Sequence, residues 1–122
     1  MSAILDSNIV IDALKGIQAA VAEIAASGPV PAISVVTRIE VLAGCPDEHA
    51  LVVAERLLSK FAVLGLSPAV EEATIELRRA TRLKLPDAII LATARVHGLT
   101  LSTRNTRDFP EGDPMIRVPY RL

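Results

Sequence analysis

The chain contains 122 residues, of which 51% are hydrophobic and only 2% aromatic, and its formal net charge at pH 7 is −1. This length predicts a single domain spanning residues 1–122, and no apolar run reaches the roughly 18 residues that a membrane-spanning helix needs. Because the single cysteine excludes an internal disulfide and residues 1–6 lack the features of a secretion signal, we expect a cytoplasmic protein without a membrane partner.

The first part of the chain predicts two strands and two helices. An apolar run over residues 3–6 ends in Asp6 and predicts a buried strand, and a helical pattern follows over residues 9–14. A second helix is expected over residues 18–26, because Gly and Pro follow it directly. Residues 32–36 are rich in β-branched side chains and predict the second strand.

A capping box is predicted at the start of the third helix. Thr37 would accept a hydrogen bond from the Glu40 amide while the Glu40 side chain reaches back toward Thr37. Helix capping alone would explain Glu40, so a functional role for this acid stays open at this point. Gly44 and Pro46 end the helix, and Asp47 suits the cap of the next one.

The rest of the chain continues the alternation of strands with helices. The sequence predicts a helix over residues 47–60, a strand over 61–66, helices over 67–82 and 86–97, and strands over 99–102 and 115–118. The strands are apolar without clear two-residue alternation, which is typical of parallel strands covered on both faces. We therefore expect an α/β fold, three-layer α/β/α, with a mostly parallel sheet of four or five strands.

Asp87 lies in the first turn of a helix that is apolar around most of its circumference. Pro86 suits the first helical position, and Gly98 suits the position just past the end. Such a helix is covered on more than one side, so Asp87 is expected at the rim of the core. Burial there favours protonation of its carboxyl group unless a cation is near. A favourable interaction with the helix dipole is the alternative explanation.

Several acids are expected at one edge of the predicted sheet. Ligands of open parallel sheets bind outside the carboxyl ends of the strands, and the chain order brings Asp6, Glu40 and Asp108 there. Asp87 joins them if its helix starts near that edge, as a right-handed crossover would require. Grouped carboxylates repel one another, and a hard divalent cation would relieve this repulsion. Oxygen ligands without clustered cysteine or paired histidine favour Mg²⁺ or Mn²⁺ over zinc.

The C-terminal half carries a local excess of arginine. Arg78, Arg79 and Arg82 are three or four positions apart and are predicted to share a helix face. Arg104 and Arg107 lie in the polar loop after the predicted strand at residues 99–102. A solvated helix end would explain the first three, and an RNA-binding surface is the alternative. The arginine side chain suits phosphate oxygens, so all five are candidate RNA contacts.

Four short motifs together resemble one protein family. They are residues 4–8 (ILDSN), 37–44 (TRIEVLAG), 85–94 (LPDAIILATA) and 103–109 (TRNTRDF). In this order they resemble the PIN domain, specifically the VapC-type toxins of toxin–antitoxin pairs, and the likeness covers nearly the whole chain. It implies a metal-dependent endoribonuclease that inhibits translation. It also implies that the chain forms a homodimer and binds a cognate antitoxin.

The resemblance further implies roles for individual residues. The catalytic acids that hold Mg²⁺ or Mn²⁺ would be Asp6, Glu40, Asp87 and Asp108. Their neutral hydrogen-bonding neighbours would be Asn8, Thr103 and Asn105. The last acid varies within the family, so Asn105 or Thr103 could share the work of Asp108.

Two alternatives belong to other functional classes. A PIN fold without catalysis would be a binding module for RNA or protein, and a receiver-like domain would accept a phosphoryl group on an acid. The receiver alternative requires a lysine beyond the last strand, which this sequence lacks. The helices over residues 18–26 and 47–60 are candidate surfaces for the antitoxin or a second copy, although core packing explains them equally well.

The remaining acids and the histidines have simpler interpretations. Asp12, Asp47 and Asp113 are expected to be a helix-face residue, a helix cap and a loop residue. His49 and His97 lie in or beside helix ends without a matching partner, so we expect them at the surface.

Overall fold

A five-stranded, all-parallel sheet lies at the centre of the computed structural model, which describes residues 3–109 and 112–122. The strands are β1 (Ala3–Leu5), β2 (Ala32–Ser34), β3 (Ala62–Leu64), β4 (Thr100–Ser102) and β5 (Ile116–Arg117). Their order across the sheet is β3-β2-β1-β4-β5, and each neighbouring pair runs parallel. All five lie within the predicted apolar runs, and the predicted α/β class is confirmed.

Helices cover both faces of this sheet. In the described residues they are α1 (Ser7–Leu14), α2 (Gln18–Ala26), α3 (Val35–Ala43), α4 (Glu48–Leu58), α5 (Pro68–Ala80) and α6 (Leu85–Val96). Successive strand residues point to opposite faces, so β1 contributes to two apolar layers. Ile4 packs in the layer that contains Leu91 of α6, whereas Leu5 packs in the layer that contains Ile9 of α1 and Leu58 of α4.

The start of α3 differs from the prediction. β2 ends at Ser34, whose hydroxyl accepts a hydrogen bond from the Val36 amide at 3.1 Å and caps the helix. The predicted capping box is therefore wrong, because Thr37 and Glu40 both lie inside α3 and Thr37 is fully buried. The β-branched residues after Ser34 favour a strand locally, but the chain enters a helix as soon as it leaves the sheet, and tertiary packing overrides that preference.

Other helix ends follow their predicted signals. Asp47 caps α4 by accepting a hydrogen bond from the Ala50 amide at 2.8 Å, and Ser67 caps α5. Gly98 follows α6 with a φ of +64°, a conformation that glycine adopts more easily than other residues. Within the residues described, we find no helix with the length and apolar character needed to cross a membrane.

Candidate functional site

The adjacent strands β1 and β4 carry Asp6 and Thr103 to the same edge of the sheet. Asp6 directly follows β1, and its amide donates to the Ser102 carbonyl at 2.9 Å, which extends the contact between the two strands. The Asp6 side chain also caps α1, because its Oδ1 accepts a hydrogen bond from the Ser7 amide at 2.7 Å. The turn from strand to helix therefore fixes this acid where ligands of parallel sheets bind.

Neutral donors surround the Asp6 carboxylate. Its Oδ2 accepts hydrogen bonds from Thr103 Oγ1 at 2.7 Å and from Asn8 Nδ2 at 3.2 Å, and only 4% of the residue is exposed. Burial raises the pKa of Asp6 above its usual value of 3.8, and the charge of Glu40 adds to this rise, although the hydrogen bonds oppose it. Asp6 is thus held in place by groups that carry no compensating charge.

Ser7 links Asp6 to Glu40. The Ser7 hydroxyl donates to Glu40 Oε1 at 2.7 Å and also forms a hydrogen bond with Thr37 Oγ1 at 3.1 Å. The start of α1 is thereby joined to α3, and the Glu40 carboxylate is held near the Asp6 edge of the sheet. Sequence reasoning omitted Ser7 and Thr37 from the site. The position of Ser7 between two candidate site residues, Asp6 and Asn8, is the signal that could have identified it.

Asp87, in the first turn of α6, experiences the charges of the other acids. Its pKa is raised from 3.8 to about 6, first by burial and then by the negative charges of Asp6, Asp108 and Glu40. Lys84 opposes this rise but does not cancel it. The other three carboxylates of the predicted set therefore lie within electrostatic reach of Asp87.

Asp108 lies in the loop that follows β4 and is exposed. Asn105 holds it through two hydrogen bonds, from Asn105 Nδ2 to Asp108 Oδ2 at 3.0 Å and from the Asp108 amide to Asn105 Oδ1 at 3.2 Å. The Asn105 amide in turn donates to Thr103 Oγ1 at 3.0 Å. Thr103 and Asn105 therefore connect the exposed Asp108 to the buried Asp6.

The donor set of this acidic cluster fits a hard divalent cation by chemical type. The groups are carboxylate and hydroxyl oxygens, which Mg²⁺ and Mn²⁺ prefer. The negative charges of Asp6, Asp108 and Glu40 add to the rise that burial causes in the pKa of Asp87, so these three carboxylates repel that of Asp87. Within residues 3–109 and 112–122, no three acidic, histidine or cysteine side chains already form a compact set of metal ligands. The acids share one edge of the sheet, and their carboxylates are not closed around a common point.

A cavity of about 610 Å³ opens beside Asp108. Buried apolar side chains, including Leu77, Leu83 and Phe109, form part of its lining, and Arg82 and Arg107 contribute positive charge. The cavity thus combines an apolar surface with arginines next to one of the four acids.

The predicted arginine face on α5 is only partly present. α5 ends at Ala80, so Arg82 lies beyond the helix and does not share a helical face with Arg78 as predicted. The helix ends early because Thr81 adopts an extended conformation, and its hydroxyl donates to the Leu77 carbonyl at 2.7 Å. Arg78 Nη1 donates to the Leu83 carbonyl at 2.8 Å, whereas Arg79 is exposed on α5.

The sequence predicted Asp12 to be a helix-face residue. It lies in α1, but it is buried. It is only 2% exposed, and its carboxylate accepts hydrogen bonds from Arg104 Nε at 2.7 Å and from Arg104 Nη2 at 3.1 Å. Arg104 was a candidate RNA contact, but its guanidinium group is engaged by Asp12 in this structure. The two residues are 92 positions apart, and no local sequence signal indicated the pair.

The other simple interpretations agree with the structure. Asp113 is a loop residue that accepts a hydrogen bond from the Met115 amide at 2.9 Å and pairs with Arg95 at 3.2 Å. His49 and His97 are both exposed.

The chain is therefore a three-layer α/β/α domain with an acidic cluster at the carboxyl edge of its parallel sheet. The sequence matches the PIN domain family over residues 3–113, and the chain belongs to that family.

Solved structures show the same fold. The protein is similar to a chain from the toxin–antitoxin complex of Klebsiella pneumoniae, with 42% identity, a TM-score of 0.92 and coverage of 99% of this chain and 100% of that chain. It is similar to a chain of DNA-bound VapBC from Salmonella typhimurium, with 28% identity, a TM-score of 0.80 and coverage of 96% of each chain. VapBC2 from Rickettsia felis has the same fold, with 21% identity, a TM-score of 0.78 and coverage of 88% of this chain and 90% of that chain. A comparison with curated proteins found no match.

Proposed function

We propose that this PIN domain is a metal-dependent endoribonuclease and the toxin of a toxin–antitoxin pair, which would inhibit translation by cutting RNA in the cytoplasm. The observation that carries this proposal is the pKa of Asp87, which is raised to about 6 first by burial and then by repulsion from the negative charges of Asp6, Asp108 and Glu40. A fold gains nothing in stability from such repulsion, but a site that binds a divalent cation needs uncompensated negative charge.

In this proposal Asp6 and Asp87 hold Mg²⁺ or Mn²⁺ directly. When bound, the ion would polarise a phosphate oxygen and stabilise the departing oxygen. Asp6 is pre-oriented by Ser7, Asn8 and Thr103, so little conformational freedom would be lost on binding.

Glu40 and Asp108 have less direct roles in the proposal. Glu40 is oriented by the Ser7 hydroxyl and would either bind the ion or orient the attacking water. Asp108 is held by Asn105 and would complete a second ion position or a water network. Thr103 would fix the position of Asn105 relative to Asp6, since its hydroxyl forms hydrogen bonds with both residues.

RNA is the proposed substrate because positive charge lies next to the acids. Arg82 and Arg107 line the cavity beside Asp108, where they would contact phosphates of a bound strand. Arg79, three positions before Arg82, is exposed and extends the candidate surface. Arg78 and Arg104 also stay candidate contacts, although each guanidinium group already donates to a partner within the protein.

The proposed partners are a cognate antitoxin and a second copy of the chain. The similar chains from Klebsiella pneumoniae and Salmonella typhimurium come from toxin–antitoxin assemblies. Val21 on α2 and Val52 and Val53 on α4 are all more than 40% exposed, which supports the earlier prediction that these two helices present apolar surfaces.

Incubating the purified chain with total RNA and either Mg²⁺, Mn²⁺ or EDTA tests the proposal. We expect cleavage with the metals and none with EDTA, and mapping of the cut ends would define the target. Asp6→Asn should abolish cleavage, whereas Glu55→Gln, which changes an exposed acid on α4, should leave it intact. Cleavage by the Asp6 variant would remove this acid from the mechanism. RNA binding without cleavage by the natural chain would instead indicate a catalytically silent binding module.

A further inference from the structure

A cluster of three side chains joins the loop after β4 to α1 and to the C-terminal segment. Asp12 of α1 lies at its centre and accepts two hydrogen bonds from Arg104 and one from Tyr120 Oη, at 2.7 Å. The Asp12 side chain is 3% exposed and the Arg104 side chain 33%. This cluster of Asp12, Arg104 and Tyr120 contains none of the four carboxylates of the acidic cluster.

Arg104 occupies the position in the chain between two residues that hold the acids. Thr103, just before it, donates to Asp6, and Asn105, just after it, donates to Asp108. The Arg104 amide itself donates to Asn8 Oδ1 at 3.1 Å. A displacement of Arg104 would therefore act on its two chain neighbours, the hydrogen-bond partners of the buried Asp6 and of the exposed Asp108.

We propose that Asp12 is a positioning residue for the acidic cluster: through Arg104, and together with Tyr120, it holds residues 103–108 where Thr103 meets Asp6 and Asn105 meets Asp108. This inference rests on the proposed nuclease function for its effect on activity. The positioning itself is a separate physical claim that can be measured in the metal-free protein.

The chemistry of the cluster suits a fixed anchor. An arginine that meets a carboxylate through two parallel hydrogen bonds is restricted in both distance and direction. Burial acts to raise the pKa of Asp12, but the hydrogen bonds from Arg104 and Tyr120 and the charge of Arg104 hold it below 3.8. Burial and the Asp12 charge raise the pKa of Tyr120 to about 12, so its phenol stays protonated and remains a donor.

A second ion pair provides a matched control. Glu23 of α2 is 7% exposed and accepts hydrogen bonds from Arg117 Nε at 3.0 Å and from Arg117 Nη2 at 3.1 Å. Its geometry resembles that of the Asp12 pair, but its arginine side chain anchors β5 and does not come from residues 103–108. Glu23 also accepts a hydrogen bond from Ser102 Oγ at 2.8 Å, and the Arg117 carbonyl accepts one from the Thr103 amide at 3.0 Å. Neither contact uses the Arg117 side chain, so Arg117→Met should cost stability without displacing residues 103–108.

The experiment compares Asp12→Asn with Arg117→Met in RNA cleavage at saturating Mn²⁺. For Asp12→Asn we expect kcat to fall about 10- to 100-fold with KM little changed, because a displacement near 1 Å is enough for such a loss. Arg117→Met should lower Tm about as much as Asp12→Asn does but keep kcat within about 2-fold of that of the natural chain. The proposal would be overturned if Asp12→Asn kept the kcat of the natural chain, or if both variants lost kcat to the same extent. Tyr120→Phe keeps the arginine pair and should give a smaller loss, which preserves the test if Asp12→Asn does not fold.

Amide hydrogen exchange measured residue by residue by NMR without metal provides a readout that is independent of activity. The amides of Arg104, Asn105 and Asp108 all donate to side chains of this loop or of Asn8. Asp12→Asn should speed their exchange at least about 10-fold, and Arg117→Met should not. Unchanged exchange in Asp12→Asn would refute the positioning role. If exchange is faster in Asp12→Asn but the natural chain itself cleaves no RNA, only the proposed function would be refuted.

Discussion

Replacing Asp87 with Asn should stabilise the metal-free protein while it abolishes RNA cleavage. The pKa of Asp87 is raised to about 6 by burial and by the charges of Asp6, Asp108 and Glu40. Its ionised form is therefore less favourable in the folded protein than in the unfolded chain. An asparagine of nearly the same shape removes that charge and the repulsion with it.

The magnitude follows from the size of the pKa change. The difference between 3.8 and about 6 corresponds to at most ~3 kcal/mol of unfavourable interaction in the ionised state. Because Asp87 is only partly buried, solvent screening reduces the expected gain to about 1–2 kcal/mol. For a domain of this length, that gain corresponds to a rise in Tm of about 3–8 °C.

The gain should depend on pH in a defined direction. Between pH 3.8 and about 6 the unfolded chain has released the Asp87 proton while the folded protein still holds it, so the stability of the natural chain falls as the pH rises. The difference between the two proteins should be absent below that window and complete above it. Acids outside the cluster contribute to both proteins alike.

Urea unfolding followed by circular dichroism, from pH 3.5 to 8 with EDTA, measures this difference. Glu55→Gln serves as the control, because it removes an exposed acid outside the cluster. Adding Mn²⁺ should stabilise the natural chain more than the Asp87 variant. A variant that is no more stable than the natural chain at pH 8, or a gain that does not change with pH, would refute the electrostatic reasoning.

Further predictions concern the arginines, two helix ends and a buried acid. Changing Arg82 and Arg107 to Met should lower the salt dependence of RNA binding by about one unit of slope per lost phosphate contact, and an unchanged slope in a filter-binding titration would exclude these contacts. Asp47→Ala removes the cap of α4 and should cost about 1 kcal/mol in urea unfolding, a loss that Asp47→Asn should largely avoid. Gly98→Ala should also cost about 1 kcal/mol, since φ there is +64° and the neighbouring space is open; equal stability would show that the turn relaxes. Although burial acts to raise it, hydrogen bonds from Arg117 and Ser102 hold the pKa of Glu23 below 4.5. The stability from this pair should be present above pH 4.5 and be lost as the pH falls through the folded-state value, and Arg117→Met should flatten that acid limb.

Local patterns were sufficient to predict the elements of this fold. Each strand lies inside an apolar run that the sequence shows directly, and Pro68, Asp47 and Gly98 mark helix ends by chemistry that acts within a few residues. Boundaries set by the sheet were harder to predict. At residues 32–36 the β-branched side chains favour a longer strand, yet Ser34 already caps α3, because the sheet ends where its neighbours end.

Contacts between distant segments were beyond the reach of the same patterns. Asp12 has its partners 92 and 108 positions away, and Glu23 meets Arg117 across 94 positions, so nothing near either acid indicated a buried ion pair. The four carboxylates of the acidic cluster also lie far apart in the sequence. Their grouping could still be predicted, because the sequence indicates parallel strands and the carboxyl ends of parallel strands lie at one edge of the sheet.

The two groups of buried acids differ in the charge of their partners, and this difference bears on function. Asp12 and Glu23 each accept hydrogen bonds from an arginine, and each has a pKa below its usual value. Asp6 is as deeply buried but accepts from Ser7, Asn8 and Thr103, which are neutral donors, and its pKa is raised. The same short chain thus neutralises its structural acids internally, whereas Asp6 at the sheet edge is held by neutral donors. Since uncompensated charge lowers stability, we infer that its partner is a cation supplied from outside the protein, which the Mn²⁺ titration of the natural chain and the Asp87 variant measures directly.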